Sequence, residues 1–380
     1  MKKKYIILSI ITLVLLITFV TSFNYFKTSN TYVENNSNNQ TKITKGISMN
    51  LEKTAGAGDY KQVTQSSWPT EGYKFNAELY KCENGGEISW DDTKKAVIVS
   101  GNLSDKCYVY FDIYQLTLAE YIKSQYTGTQ GENNIYYHDS SLANGAGDNS
   151  YRYAGASDSV NNYICLGSDA TTCPDANLFR IIGVFGNQTK VIRAKSVGYQ
   201  QWHTSADNTW SSSSLNAYLN GTYLTSLGTI AEKIATTTWK VGGGSGSNIS
   251  ASVPKTAYKN EVGSSASTTI IDKKIGLMYV SDYGFAASPS AWTKTLGDYD
   301  GNDANGTSIK TINWMYMGYN EWTISRHSDN TNSAFFVNST GNVLGSNVRS
   351  DNGVRPSFNL ESSVKYVSGS GSMSDPVRVN

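Results

Sequence analysis

The chain has 380 residues, with thirty-two Lys and Arg against thirty-one Asp and Glu and a formal charge of +1. Charged residues make up only 17 %, and their even balance excludes a protein that grips nucleic acid through a basic face. Aromatics reach 12 %, which excludes a disordered chain, and the length predicts more than one domain.

Lys2, Lys3 and Lys4 precede an uncharged apolar run from Tyr5 to Val20. A helix crossing the hydrocarbon layer needs roughly 20 residues. Residues 1–26 are therefore expected to form a signal anchor or transmembrane helix, with the basic cluster inside and the rest of the chain extracellular. Cleavage after Ser22 would release a secreted form. Residues 27–46 are rich in Asn, Ser and Thr and read as a flexible stalk.

Residues 47–115 carry short β-branched and aromatic runs, Ala96 to Val99 and Tyr108 to Phe111, separated by turn-rich loops. They predict a small all-β domain, for which an immunoglobulin-like sandwich is the expectation. So small a core needs a staple. Four cysteines are present, Cys82, Cys107, Cys165 and Cys173, and four permit three pairings. The local pairing, Cys82 with Cys107 and Cys165 with Cys173, keeps each bridge within one domain and fits an oxidising exterior. Their spacings match no zinc ribbon, and His138, His203 and His327 are scattered.

Residues 116–150 read as a short helix over Leu116 to Ser124 followed by a Gly- and Asn-rich connector. A second domain is expected over 151–380. Leu178 to Phe185 predicts a strand, Gly186-Asn187 a turn, and Lys190 to Ala194 the returning strand of a hairpin. Leu215, Tyr218, Leu219, Tyr223 and Leu227 fall on one helical face, and Ile230 and Ile234 mark a second short helix. Ile275 to Val280 predicts a buried strand, and Asn313 to Val337 and Val354 to Leu360 supply the closing strands. Two helices against separated strands give an α+β fold class.

Several ordered motifs carry a resemblance. NNYICLGSDATTCPDANLFRIIGVFG, SSLNAYLNGTYL, KIGLMYVSDYGFAA, NWMYMGYNEWTISR, GVRPSFNL and SGSGSMSDPVRV follow one another in the chain. Together they resemble a group of membrane-anchored or secreted surface proteins of Gram-positive gut bacteria, from about Tyr73 onward. That resemblance implies a surface protein and brings no activity with it. Glu321-Trp322-Thr323, the run Phe335 to Val337, Gly341 and Gly353-Val354-Arg355-Pro356 are similar to the end of C-type-lectin-like and formylglycine-generating-enzyme-like domains. The resemblance implies a loop-rich lectin-like α+β scaffold. The oxidising enzymes place an active-site cysteine pair late in the domain, and this chain has no Cys after Cys173, so the scaffold is expected without the chemistry.

Candidate sites follow from residue type. Asp298, Asp300, Asn302 and Asp303 place side-chain oxygens in one loop and make a possible Ca²⁺ site, although Asp303 and Ile309 stand where an EF-hand needs Gly and Glu. No other cofactor is expected. Trp292 and Tyr299 flank or lie in that loop and Tyr319 follows it, and exposed aromatic faces there would stack on a ligand's sugar rings. Trp314 and Trp322 are expected in the core. Arg180 and Arg355 lie in apolar runs and are expected to be structural, paired with Asp282, Glu321 or backbone carbonyls. No Gly-x-Ser-x-Gly elbow is present. The expected function is non-enzymatic: a surface protein that binds a glycan, wall polymer or protein. The alternatives are a glycan-modifying hydrolase using loop carboxylates, with Asp282 and Glu321 as an acid pair, and a subunit of a surface assembly.

Overall fold

Alternating apolar and polar residues set the first strands. β1 (Ile47–Glu52), β2 (Tyr60–Val63), β3 (Tyr73–Phe75), β4 (Lys81–Cys82) and β7 (Cys107–Ile113) form one sheet in the order β2-β1-β7-β3, with β4 also paired to β7. β5 (Gly86–Asp91) and β6 (Ala96–Gly101) make a separate hairpin. In β7 every second side chain, Cys107, Val109 and Phe111, points into the core, and Met49 of β1 and Ile88, Val97 and Val99 of the hairpin complete it. β1 runs parallel to β7, whereas β2, β3 and β4 pair antiparallel. This mixed sheet with a lone hairpin overturns the immunoglobulin-like expectation, which requires two packed antiparallel sheets.

These strands belong to a computed structural model that describes residues 46–380, apart from 65–67, 70–71, 103–104, 245–248, 264–268 and 301–307. The expected anchor over 1–26 and nearly all of the stalk lie outside the described residues. Among the described residues no helix is long and apolar enough to cross a membrane. The chain divides into two compact units, one ending at Gln115 and one spanning Leu116–Asn380.

The larger unit is built on a nine-stranded mixed sheet. Its central path runs from β16 (Ile275–Gly276) through β21 (Ser357–Leu360), β12 (Gln188–Arg193), β11 (Leu178–Phe185), β10 (Tyr163–Cys165) and β23 (Val377–Val379) to β22 (Tyr366–Ser368). β8 (Ile135–Tyr137) pairs with β9 (Tyr151–Tyr153), and β9 pairs with β11 beyond a register shift at Ile181/Gly183. Gly183 is required there: a Cβ would stand 2.2 Å from the Tyr151 carbonyl oxygen. A second sheet has the order β13 (Tyr199–Gln201), β20 (Asp351–Gly353), β17 (Glu321–Arg326), β18 (Ser333–Val337) and β19 (Val343–Asn347). β14 (Thr237–Val241) and β15 (Thr269–Lys273) form a two-stranded ribbon.

The helices are short. They are α1 (Leu118–Ser124), α2 (Ser214–Tyr218), α3 (Leu224–Ser226), α4 (Pro254–Glu261), α5 (Val280–Ala286) and α6 (Ile309–Ile312). The unit is sheet-rich with helical insertions, which overturns the lectin-like α+β expectation of two helices packed on strands. Two physical reasons account for the difference. The expected helix over Leu215 to Leu227 is split by a π turn at Leu219–Tyr223. There the Asn220 amide donates to the Ile275 carbonyl at 2.8 Å and accepts from the Ile275 N–H at 3.0 Å, so it bonds to a strand end. The expected strand Ile275 to Val280 stops at Gly276, because the chain turns into α5. The first N–H groups of α5 are taken by two carboxylates: Val280 and Ser281 donate to Glu261 at 2.8 and 3.0 Å, and Tyr279 donates to Asp282 at 2.9 Å.

Candidate functional site

Several residue types that carry chemistry are held inside the larger unit. Asp282 opens the first turn of α5 and meets Lys190 of β12, with Nζ 2.5 Å from Oδ2. Arg152 of β9 approaches the other oxygen, Oδ1, at 3.4 Å and pairs with Asp148 at 2.6 Å. Lys190, Arg152 and Asp282 are all buried, as is Glu261, whose carboxylate also accepts from Ser325 Oγ. Burial pushes the Lys190 ammonium below its ordinary range and the Glu261 carboxyl above its own. Asp148, next to Arg152 and bonded by Ser150, is held down at about 2 despite its burial. His138 faces the same group. Burial and the Arg152 charge lower its pKa to about 3, and its Nδ1 accepts from the Ala146 N–H at 3.0 Å.

A second buried pair ties β17 to the segment after β20. Arg355 donates through Nε to Glu321 at 2.5 Å and through Nη2 to Glu321 at 2.9 Å and to the Met315 carbonyl at 2.7 Å. Among the described residues, Arg180 has no carboxylate partner. It is held by Asn162 Oδ1 at 2.6 Å, Ser157 Oγ at 2.8 Å and the carbonyls of Trp314, Ser157 and Val160. Both arginines are buried and engaged with protein groups. Asp282 and Glu321 each have their own buried cation partner.

Trp292 and Tyr299, expected to be exposed, are each only 1 % exposed. Trp292 packs on Phe285 and donates to the Ala287 carbonyl at 2.8 Å. Tyr299 donates to the carbonyls of Gly284 and Ala291. Polar neighbours in the sequence give these rings the look of surface residues, but each buries its polar atom against a backbone acceptor. Asp298 is exposed and accepts from Thr295, Asp300 is half-buried, and Asn302 and Asp303 lie outside the described residues.

Tyr319 is the aromatic candidate that reaches the surface region. Its half-buried ring lies against Gly353, where a Cβ would stand 2.7 Å from Cε2. Gly353 is the ladder partner of Tyr199 on the edge strand β13. Tyr199 is 60 % exposed, and its ring centroid lies 6.2 Å from that of Tyr319. The result is an aromatic shelf at a sheet edge, bordered by the exposed Asn320 and Asp351. Burial raises the Tyr319 phenol to about 12, and its hydroxyl oxygen is itself buried, so the ring face and not the hydroxyl is what Tyr319 offers at the surface. The sequence reading missed Tyr199 because it lies in a short polar stretch, VGYQQW, with no periodicity to single it out.

In the smaller unit a groove of about 510 Å³ is lined by residues that include Glu52, Tyr60, Lys74 and Asp112. Its carboxylates are engaged: Glu52 accepts from the N–H groups of Gly58 and Ile113, and Asp112 from Tyr60 and Asn76. Cys82 and Cys107 are joined in a disulfide across paired positions of β4 and β7. With Asp105 they make the one metal-like cluster among the described residues. The bonded sulfurs and an Asp105 carboxylate already accepting from Glu83, Asn84 and Gly86 make it a turn staple. Cys165 and Cys173 form the second bridge.

A family model described as a domain of unknown function (DUF6273) matches residues 186–362, all within the larger unit. The match carries no lectin-like or formylglycine-generating assignment. No curated protein and no solved structure matches the chain.

Proposed function

We propose that this is an exported, non-enzymatic binding protein whose larger unit takes a carbohydrate, such as a glycan or wall polymer, on the Tyr199–Tyr319 shelf. The observation that carries the reading is the shelf itself: an exposed tyrosine on the edge strand β13 beside a half-buried one fixed over a glycine of the next strand, β20. Tyrosine offers a flat apolar face at low entropic cost and a hydroxyl for hydrogen bonding, which suits sugar rings. Asn320 and Asp351 border it with groups able to bond hydroxyls.

Two features support export. Two disulfides persist in oxidising surroundings, and the sequence opens with a basic cluster and an apolar run. The non-enzymatic reading draws support from the carboxylates: Asp282, Glu321, Glu52 and Asp112 each have a structural partner. Titrating the purified protein with a panel of glycans and wall polymers tests the reading. Saturable binding to at least one carbohydrate is expected, and failure to bind any of them contradicts it.

A further inference from the structure

The shelf leaves the Lys190–Asp282 contact unused. Lys190 Nζ lies 2.5 Å from Asp282 Oδ2, both side chains are at least 95 % buried, and 92 residues separate them in sequence. Aromatic rings wall the amine: its nitrogen is 4.4 Å from the Tyr279 centroid, 5.4 Å from Trp239 and 5.8 Å from Phe185. We propose that Lys190 and Asp282 are a site of covalent self-modification, at which the ammonium and the carboxylate condense to an intrachain amide with loss of one water.

The step balances within the pair. Nζ bonds to the Asp282 Cγ, and one carboxylate oxygen leaves. The ammonium gives up two protons, and both end on the departing oxygen as water. Nothing is oxidised or reduced. Three features of the surroundings favour it. Holding amine and carboxyl in contact makes the reaction effectively unimolecular. The pair is buried, which limits access of the water that drives hydrolysis in solution. Forming the amide also removes a positive and a negative charge from an apolar interior, where each carries a desolvation cost.

The neighbours suit the intermediate. Negative charge developing on the carboxyl oxygens meets the Arg152 guanidinium at Oδ1 and the Tyr279 N–H at Oδ2. Arg152 is anchored by Asp148, so its position does not depend on Asp282. Glu261, also buried, holds the first turn of α5 in place by accepting from the Val280 and Ser281 N–H groups, and so fixes the position of Asp282. The finished bond would fasten β12, inside the main sheet, to α5.

Peptide mapping of the full chain, reduced and denatured, tests the proposal. An acylated Lys190 is not cut by trypsin. The expected species is therefore Ile181–Arg193 joined to Ile275–Lys294, with a mass equal to the sum of the two less one water. Recovery of Ile181–Lys190 and Ile275–Lys294 as separate, unmodified peptides would overturn it. Lys190→Arg keeps the charge and abolishes the joined species. The wild-type map is informative even if a variant fails to fold.

Discussion

The two units solve the same problem with different means. The smaller one buries seven hydrophobic residues in its core cluster among the described residues, and a disulfide joins two of its strands at one register pair. Its ion pairs, such as Lys53–Asp59 and Lys95–Asp92, are exposed and contribute little. The larger unit has an extensive core with a small satellite cluster, and it keeps charged side chains inside, the Glu321–Arg355 pair among them. A thin core leans on a covalent staple. A thick one can hold charges, and it is then sensitive to losing either partner of a pair.

That contrast can be broken most sharply at Glu321. Glu321→Ala leaves the Arg355 charge buried and unpaired, and should cost ~3–5 kcal/mol of the larger unit's stability, read from its denaturant midpoint. Replacing both partners, Glu321→Leu with Arg355→Met, should recover most of the loss, since the pair's own desolvation cost disappears too.

Next in size are the bridges. Removing Cys82–Cys107 by Ser substitution should cost ~3.5 kcal/mol, and Cys165–Cys173, which closes a shorter loop, ~2.5 kcal/mol. The consequence differs more than the energy. Hydrogen exchange should show the smaller unit opening without its bridge, while the larger unit stays protected without its own.

Acid provides a third test. His138 is neutral in the folded larger unit, with its pKa lowered from 6.5 to about 3, so the unfolded chain binds a proton the folded one refuses. Its stabilising effect is complete above 6.5 and falls by about 1.4 kcal/mol per pH unit as pH drops through that window. Asp148, lowered from 3.8 to about 2, acts in the same direction but only below 3.8. Denaturation midpoints should therefore fall between about pH 6 and pH 4 in the wild type, and much less in His138→Asn.

How much of this was legible depends on how far each cause lies along the chain. The hairpin over β11 and β12 is local, with two apolar runs around Gly186-Asn187. The two bridges join cysteines that are near in sequence. The helix α5 was hidden inside IGLMYV and its neighbours, because the carboxylate that holds its first N–H groups, Glu261, is twenty residues away in sequence. Trp292 and Tyr299 misled for a related reason: their polar atoms meet carbonyls that only the fold brings near. The shelf was half visible, since Tyr319 stood among the candidates. Tyr199 joins it only through the β13–β20 ladder.

The smallest effect on stability belongs to Tyr199, where truncation of an exposed ring should change it by less than about 0.5 kcal/mol. On the proposed function, the same substitution carries the heaviest consequence. The decisive measurement is carbohydrate binding by Tyr199→Ala beside wild type, with equal denaturant midpoints confirming that both are folded. At least a tenfold weaker affinity is predicted, equivalent to about 1.4 kcal/mol. Unchanged affinity in a folded variant would contradict the assignment of binding to the shelf.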